Sequence, residues 1–235
     1  MKFEICLTLS ALLLLWLFHS TAGAEEKHVP FARLADLRID PDRLEDFRAA
    51  ATVHAEATLR DEPGALALYA VARKDEPAQV RVLELYTDAA AYQAHLRSPH
   101  FRQFRAATDA MTKSRTLLDV SPLLLGAKPS LTSNPIVRTA DLEIDPARLD
   151  DYRTAVIEEI EASIRLEAGV LAIQAVSLAD APNRIRFLEV YADEEAYRSH
   201  IQSPHFKKYA ALAQPLIVDR KLVEATVVVL SVKPR

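Results

Sequence analysis

The chain repeats itself once, at a spacing of 105 positions. Residues 31–125 align with residues 136–230 without a gap, and 39 of the 95 aligned positions are identical. A repeat of this length is a whole domain rather than the 20–50-residue unit of a solenoid. The segment between the copies, GAKPSLTSNP (126–135), is rich in turn-forming residues and is interpreted as a linker. The sequence therefore predicts a tandem duplication, with domains at 31–125 and 136–232.

Within each copy, the hydrophobic pattern changes period in a fixed order. Alternation predicts a strand at the start, and an Asp-Pro pair then predicts a capped helix with proline in its first turn. Two strands joined by a polar turn follow, then two short helices separated by a Ser-Pro step, and a β-rich end. The predicted strands are Phe31–Ile39, Leu66–Val71, Val80–Tyr86 and Thr116–Leu125 in the first copy, with Leu222–Val232 closing the second.

The order β-α-β-β-α-β is the ferredoxin-like arrangement, whose sheet carries helices on one face only. The other face must be covered, and a second copy on the same chain is the obvious cover. We therefore predict an α+β fold in which two ferredoxin-like βαββαβ repeats pair as an intramolecular pseudo-dimeric α+β barrel. Exposed strand edges would still leave room for a homo-oligomer of whole chains.

The first 24 residues have the pattern of a signal peptide. Ile5 to Phe18 form an apolar run that is too short for a typical membrane span. Ala22-Gly23-Ala24 follows, a small-residue pattern that signal peptidase cleaves. We expect residues 1–24 to be removed and the mature chain to be exported, periplasmic or secreted, with no stable membrane span after cleavage. Retention of this segment as an anchor is the alternative.

Composition excludes several classes of function. The chain has one cysteine and one tryptophan, Cys6 and Trp16, and cleavage would remove both, leaving no disulfide, thiol nucleophile or thiolate metal site. The net charge of −4, without a basic cluster, argues against nucleic acid as a partner. Four glycines in the chain, none in a phosphate-loop pattern, argue against a nucleotide site of that type.

Two histidines recur in the segments YQAHLRSPHF (92–101) and YRSHIQSPHF (197–206). The Ser-Pro step between them breaks the helix, so His95 and His100 do not share one helix face. Glu84 would complete a set of two histidines and one carboxylate, the ligands of some metal sites. Nothing in the spacing forces these three side chains together, so we expect no metal site. A histidine at the start of a helix can simply be solvated or bonded locally.

The third strand of each copy carries a glutamate and a tyrosine, Glu84 and Tyr86 in the first copy. These alternate with Leu83 and Leu85, so each pair occupies one face of the strand. Assigning the leucines to the helix-packed face points Glu84 and Tyr86 into the barrel. The second copy has the same pairs; we call Glu84 and Glu189 the strand glutamates, and Tyr86 and Tyr191 the strand tyrosines.

A carboxylate that faces an apolar cavity needs a partner. A nearby histidine is one expected partner of each strand glutamate, which would make the pair functional. The alternative partners are Arg81, Arg186 or backbone donors, which would make the glutamate structural. His54 is expected to be an exposed residue on the flank of the first helix; its counterpart in the second copy is Glu159.

The segments LELYTDAAAYQAHLRSPHF (83–101) and LEVYADEEAYRSHIQSPHF (188–206) resemble the signature of the antibiotic biosynthesis monooxygenase (ABM) domain family, which includes quinol monooxygenases. The resemblance implies a dimeric α+β barrel and a cofactor-independent reaction of O₂ with a quinol or similar electron-rich aromatic substrate. It implies that the strand glutamates orient the catalytic bases and that the strand tyrosines form aromatic walls of the substrate pocket. The implied bases are His95 and His200, and His100 and His205 are further substrate-binding candidates.

The family often has tryptophan where this chain has the strand tyrosines, which weighs against haem degradation. Two other functions fit the same residues. An exported barrel could bind a small molecule without catalysis, or the same pocket could serve an isomerase or lyase that uses the base without O₂.

Overall fold

The computed structural model describes residues 29–132 and 134–233, so the predicted signal peptide lies outside the described residues. Each repeat has the predicted order of strands and helices. The first repeat comprises β1 (Phe31–Ile39), α1 (Leu44–Asp61), β2 (Ala65–Arg73), β3 (Gln79–Tyr86), α2 (Ala89–Leu96), α3 (Pro99–Thr108) and β4 (Thr112–Ala127). The second comprises β5 (Ile136–Ile144), α4 (Leu149–Leu166), β6 (Val170–Leu178), β7 (Arg184–Tyr191), α5 (Glu194–Gln202), α6 (Pro204–Ala213) and β8 (Ile217–Val232). Among the described helices, none is long and apolar enough to cross a membrane.

Polar caps start the short helices where the sequence predicts. The Asp88 carboxylate accepts a hydrogen bond from Ala91 N at the start of α2. The Ser98 hydroxyl accepts one from Phe101 N at the start of α3, with Pro99 in the first turn. Such caps satisfy backbone N–H groups that have no partner within the helix. The chain therefore turns sharply between α2 and α3.

The eight strands form one closed antiparallel barrel in the order β1-β3-β2-β8-β5-β7-β6-β4. The long last strands, β4 and β8, close it. β4 pairs with β1 of its own repeat and then with β6 of the other, and β8 pairs with β5 and then with β2. Closure leaves no free strand edge in the barrel. The predicted pseudo-dimeric α+β barrel is confirmed, and the repeats are joined through exchanged strand edges.

The barrel interior is apolar over most of its length. Leu83 and Leu85 of the first repeat belong to one buried cluster with Leu188 and Val190 of the second. Because Tyr86 packs against Tyr92 of α2 and side chains alternate along a strand, Leu83 and Leu85 point away from the helices and into the barrel, as do Leu188 and Val190 of β7. The predicted assignment of the leucines to the helix-packed face is therefore wrong.

The strand glutamates and strand tyrosines face the helices, on the opposite side of the sheet from the leucines. Tyr86 is buried beside Tyr92 of α2, with ring centroids 5.5 Å apart. Tyr191 lies in the buried cluster between the second sheet and its helices. The physical reason is closure, because an enclosed barrel must be filled with side chains, whereas the helix-covered face can hold polar groups near the helix ends.

One end of the barrel holds a network of charged residues. Arg81 Nε donates to Asp36 at 2.8 Å, and Arg81 Nη2 donates to Asp141 of the other repeat at 3.2 Å. Arg186 lies 3.5 Å from the same Asp141 carboxylate. These arginines therefore neutralise aspartates across the repeat interface. They do not pair with the strand glutamates, so the alternative prediction of an arginine partner for each strand glutamate is wrong.

Candidate active site

The Ser-Pro step brings two histidines to one carboxylate. His95 lies in the last turn of α2 and His100 in the first turn of α3, because Ser98 caps a new helix directly after the first one ends. His95 Nδ1 lies 2.9 Å from Glu62 Oε1, and His100 Nε2 lies 2.6 Å from the same oxygen. The repeated motif is therefore a joint that holds a glutamate from the end of α1.

The second repeat has the same arrangement. His200 Nδ1 and His205 Nε2 lie 2.8 Å and 2.6 Å from Glu167 Oε1. Glu62 and Glu167, the helix-end glutamates, each follow the last residue of the long helix of their repeat. They are the hydrogen-bond partners of the histidines, a role that the sequence analysis assigned to the strand glutamates.

The sequence contains only a weak signal for the helix-end glutamates. They lie in loops, where no hydrophobic period applies, and both are followed two positions later by glycine. The glycine has a steric reason, because a Cβ at Gly64 would lie 2.5 Å from Ala91 Cβ of α2. This close approach of the loop to α2 places Glu62 within reach of His95. Identity of Glu-x-Gly in both copies could have indicated the site.

A cavity of about 420 Å³ lies between the second sheet and its helices, within the usual size range of small-molecule sites. Of the predicted site residues, His200 and the strand pair Glu189 and Tyr191 line it. His205 is not among its lining residues and instead contacts Glu167. Further lining residues with polar groups are Arg138, Thr139, Glu159, Tyr197, Tyr209, Gln214, Arg220 and Glu224.

His200 lies between two carboxylates. Its Nδ1 contacts Glu167, and its Nε2 lies 3.6 Å from Glu159 Oε1. Burial raises the pKa of Glu159, which accepts a hydrogen bond from the Ser163 hydroxyl at 2.7 Å. Burial also acts to raise the pKa of Glu167, but the hydrogen bonds from His200 and His205 outweigh it and hold that pKa below its ordinary value. Glu167 is therefore ionised at neutral pH.

The strand pair of the second repeat is bonded internally. The Tyr191 hydroxyl donates to Glu189 Oε2 at 2.9 Å, and the Tyr191 ring centroid lies 5.4 Å from that of His200. Burial raises the pKa of Glu189 and the pKa of Tyr191. A buried carboxyl with a raised pKa and a neighbouring base are features of many catalytic sites.

The first repeat differs at one central position, where His54 replaces Glu159. His54 is buried, 4 % exposed, which corrects the prediction of an exposed residue. Its ring stacks on Phe104 with centroids 4.4 Å apart, and it lies 5.2 Å from the His95 ring. The buried stripe of α1 includes Phe47, Ala51 and His54, which follow the helical spacing. The helical spacing from Phe47 and Ala51 places His54 on this buried stripe rather than on its exposed flank.

Burial shifts the pKa values of His54, His95 and Glu84 in the first repeat. Burial lowers the pKa of His54 to about 3, and the nearby His95 and His100 add to the shift. Burial also lowers the pKa of His95, although its bond to Glu62 opposes this. Burial raises the pKa of Glu84 to about 7, and the charge of Glu62 adds to it. His54 is therefore neutral at physiological pH.

Comparison with known proteins identifies a protein family that this chain matches. The model of antibiotic biosynthesis monooxygenases matches residues 30–107 and 135–212. A presumed monooxygenase from Lactobacillus acidophilus has a similar structure, with a TM-score of 0.83, 21% identity and coverage of 87% of this chain and 97% of its own. A second one, from Fusobacterium nucleatum, has a TM-score of 0.79, 20% identity and coverage of 88% and 96%.

A protein described as anthrone oxidase-like has a TM-score of 0.56 and 10% identity, and the match covers 89% of this chain and 95% of that one. At these identities, the three structures support the fold alone. Among curated proteins, no sequence matches this chain. The two family matches together cover more than half of the chain, one in each repeat. The chain therefore belongs to the antibiotic biosynthesis monooxygenase family, as a tandem duplication of its domain.

Proposed function

We propose that the second repeat is a monooxygenase site for a quinol or a similar electron-rich aromatic molecule, which reacts with O₂ after deprotonation. The observation that carries the proposal is the placement of His200. It lines a cavity of about 420 Å³, while Glu167 holds its Nδ1. Membership of the antibiotic biosynthesis monooxygenase family supports the same class of reaction.

His200 has the hydrogen-bond pattern of a general base. An ionised Glu167 can only accept a hydrogen bond, so His200 donates from Nδ1 and carries its lone pair on Nε2. Nε2 can then take a proton from a substrate hydroxyl in the cavity. The positive charge that forms on the imidazole lies beside Glu167, which stabilises it.

The proposed reaction balances without an external reductant. Nε2 takes a phenolic proton, and the phenolate transfers one electron to O₂. The substrate radical and superoxide then combine, forming a carbon–oxygen bond at the ring. The imidazolium returns its proton to give a ring hydroperoxide. The same ring carbon then loses its hydrogen as the O–O bond breaks, so that water leaves and the other oxygen stays on the ring as a carbonyl. A quinol and O₂ thus give a hydroxyquinone and water, and the substrate supplies all the electrons.

The cavity also has groups that can stabilise the developing negative charge. Because burial raises the pKa of Glu159 and of Glu189, their protonated forms persist to higher pH and can donate hydrogen bonds to an oxyanion. Arg138 also lines the cavity, where its guanidinium pairs with Glu194 and Glu224 and lies 3.8 Å from the centroid of the Tyr197 ring. Tyr191 supplies an aromatic wall against which a substrate ring can pack.

We assign the reaction to the second repeat because the first repeat lacks the same surroundings. The matching histidine, His95, has His54 beside it where His200 has Glu159. Phe104 stacks on His54 at the position that Tyr209 occupies in the second repeat.

Oxygen uptake by the purified chain, measured against a panel of quinols with its metal and flavin content, tests the proposal. The His200→Gln variant should lower turnover by roughly 10²–10⁴-fold, the usual contribution of a general base. The same change in the other repeat, His95→Gln, should lower it far less. Retention of full turnover by His200→Gln, or binding of quinols without oxygen uptake, would contradict the proposed reaction.

We also propose that the mature chain acts outside the cytoplasm. The support is the apolar run before residue 19 and the Ala22-Gly23-Ala24 pattern. The proposed reaction takes all its electrons from the substrate. It can therefore proceed outside the cytoplasm, without a cellular reductant. The mass of the chain recovered from its own host tests this part separately.

A further inference from the structure

Three side chains that are common metal ligands converge in the first repeat. The ligand atoms of His54, Glu84 and His95 all lie within 4.8 Å of one another. They come from three separate elements, α1, β3 and α2, so the cluster depends on the tertiary fold. His54 and His95 are almost completely buried, 4 % and 0 % exposed, and Glu84 is half-buried.

The histidines of this cluster have unused hydrogen-bonding capacity. Both ring nitrogens of His54 and Nε2 of His95 have no hydrogen-bond partner among the described residues. Leaving such a group buried and unpaired costs about 1–3 kcal/mol, and most buried polar groups do have a partner. One nitrogen of each of these two buried rings is therefore free to bind a ligand beside the Glu84 carboxylate.

The remaining nitrogen of His95 has the partner that a metal-bound histidine usually has. His95 Nδ1 contacts the Glu62 carboxylate, which also contacts His100. In metal sites, a carboxylate bound to the second ring nitrogen fixes the orientation of the ring and makes it a better ligand. Nε2 of His95 is thereby left to face His54.

The second repeat does not have the same unused groups. Glu159 replaces His54 and accepts a hydrogen bond from Ser163, and Glu189 accepts one from Tyr191. Glu159, His200 and His205 also offer ligand atoms within 4.8 Å of one another, but no buried nitrogen of these two histidines lacks a hydrogen-bond partner among the described residues. The difference at position 54 therefore separates the chemistry of the two repeats.

We propose that His54, Glu84 and His95 bind one divalent first-row transition metal ion, such as Zn²⁺ or Fe²⁺. Two imidazoles and one carboxylate are a donor set that these ions accept, with further positions left for water or another ligand. Ligand atoms about 2.1 Å from a common ion lie roughly 3.5 Å apart, so the set must close slightly.

An open groove of about 810 Å³ gives the ion a route from solvent. It lies between α1 and α3, and His54, Glu62 and His100 are among the residues that line it. The carboxylate of Glu62 near this groove would attract a cation.

Metal binding by the purified chain, stripped first with a chelator, tests the proposal. Titration with Zn²⁺, and with Co²⁺ as a spectroscopic substitute, should give one ion per chain and a Co²⁺ spectrum of a site with nitrogen ligands. The variants His54→Gln and Glu84→Gln should each weaken affinity by at least 10–100-fold, since even the loss of an outer partner has that effect. His200→Gln, the matched change in the other repeat, should keep one ion per chain.

Absence of binding by the wild-type chain would overturn the proposal, as would equal affinity in the folded His54→Gln variant. Loss of the ion in His200→Gln, but not in His54→Gln or Glu84→Gln, would place the metal in the second repeat and would also overturn it. Circular dichroism checks that each variant is folded, and two independent ligand variants guard against the failure of one. The stoichiometry is independent of turnover, so this test stands apart from that of the proposed oxygenase reaction.

Discussion

Replacing Glu167 with glutamine separates its effect on stability from its effect on catalysis. Both histidines contact the same oxygen, His200 at 2.8 Å and His205 at 2.6 Å. A glutamine whose oxygen takes that position keeps both contacts but loses the negative charge. The variant therefore changes the charge beside His200 with little change in volume.

The expected loss of stability follows from these two bonds. A hydrogen bond to a charged group contributes about 1.5–3 kcal/mol and a neutral one about 0.5–1.5 kcal/mol, a difference of about 1 kcal/mol for each. Two bonds give about 2 kcal/mol, or a fall in Tm of roughly 4–8 °C for a domain of this size. Glu62→Gln makes the same two bonds neutral in the first repeat and should cost a similar amount.

The effects of the two variants on turnover should differ. Without the charge of Glu167, the His200 imidazolium loses its stabilising partner, and the ring is no longer held in one tautomer. Turnover should fall by on the order of 10²-fold or more in Glu167→Gln, and much less in Glu62→Gln. The assays are urea unfolding for stability and oxygen uptake for turnover. Equal turnover in Glu167→Gln and the wild type, with the expected loss of stability, would show that the contacts of Glu167 with His200 and His205 are structural only.

Four further results are expected. The stability difference between wild type and Glu167→Gln should be constant above pH 4.5 and shrink as pH falls below it, because a carboxyl with a lowered pKa stabilises the fold only while ionised; a constant difference in acid denaturation would contradict this. Arg81→Ala should lower the free energy of unfolding, measured in urea, by roughly 3 kcal/mol, since two carboxylates lose their partner. Arg43→Ala, at an exposed ion pair, should lower it by less than about 1 kcal/mol. Equal losses in the two variants would contradict the stabilising role of the Arg81 network. Each repeat expressed alone, divided within 126–135, should not form a stable monomer because β4 and β8 pair across the repeats; stable, soluble monomers would contradict this. Mass spectrometry of the chain from its host should show cleavage near Ala24, and a full-length species would contradict export.

The sequence was sufficient to predict the barrel. The gapless repeat and the change of period within each copy determine the strand order, because one ferredoxin-like sheet needs a cover. Alternation also correctly grouped Glu84 with Tyr86 on one face of β3. Alternation could not show which of the two faces lies inside the barrel, because both faces of β3 are largely buried. The Glu-Tyr pair and the Leu pair can each occupy a partly polar or an apolar environment.

The site was harder to predict because its contacts join distant elements. Glu62 and His95 are brought together by a loop that packs on α2, and no local pattern in the sequence encodes that approach. His54 is a different case, because its helical spacing from Phe47 placed it on the buried stripe. Its polar side chain led to the prediction of an exposed residue, and only the cluster around it explains its burial.

A crystal structure of the chain with a quinol, grown without oxygen so that the substrate persists, would show where the substrate binds. We expect the ring to lie in the cavity of the second repeat, beside Tyr191, with a hydroxyl oxygen about 2.6–3.2 Å from His200 Nε2. A quinol bound in the groove of the first repeat, or one whose hydroxyl groups do not approach His200, would contradict the assignment of His200 as the base.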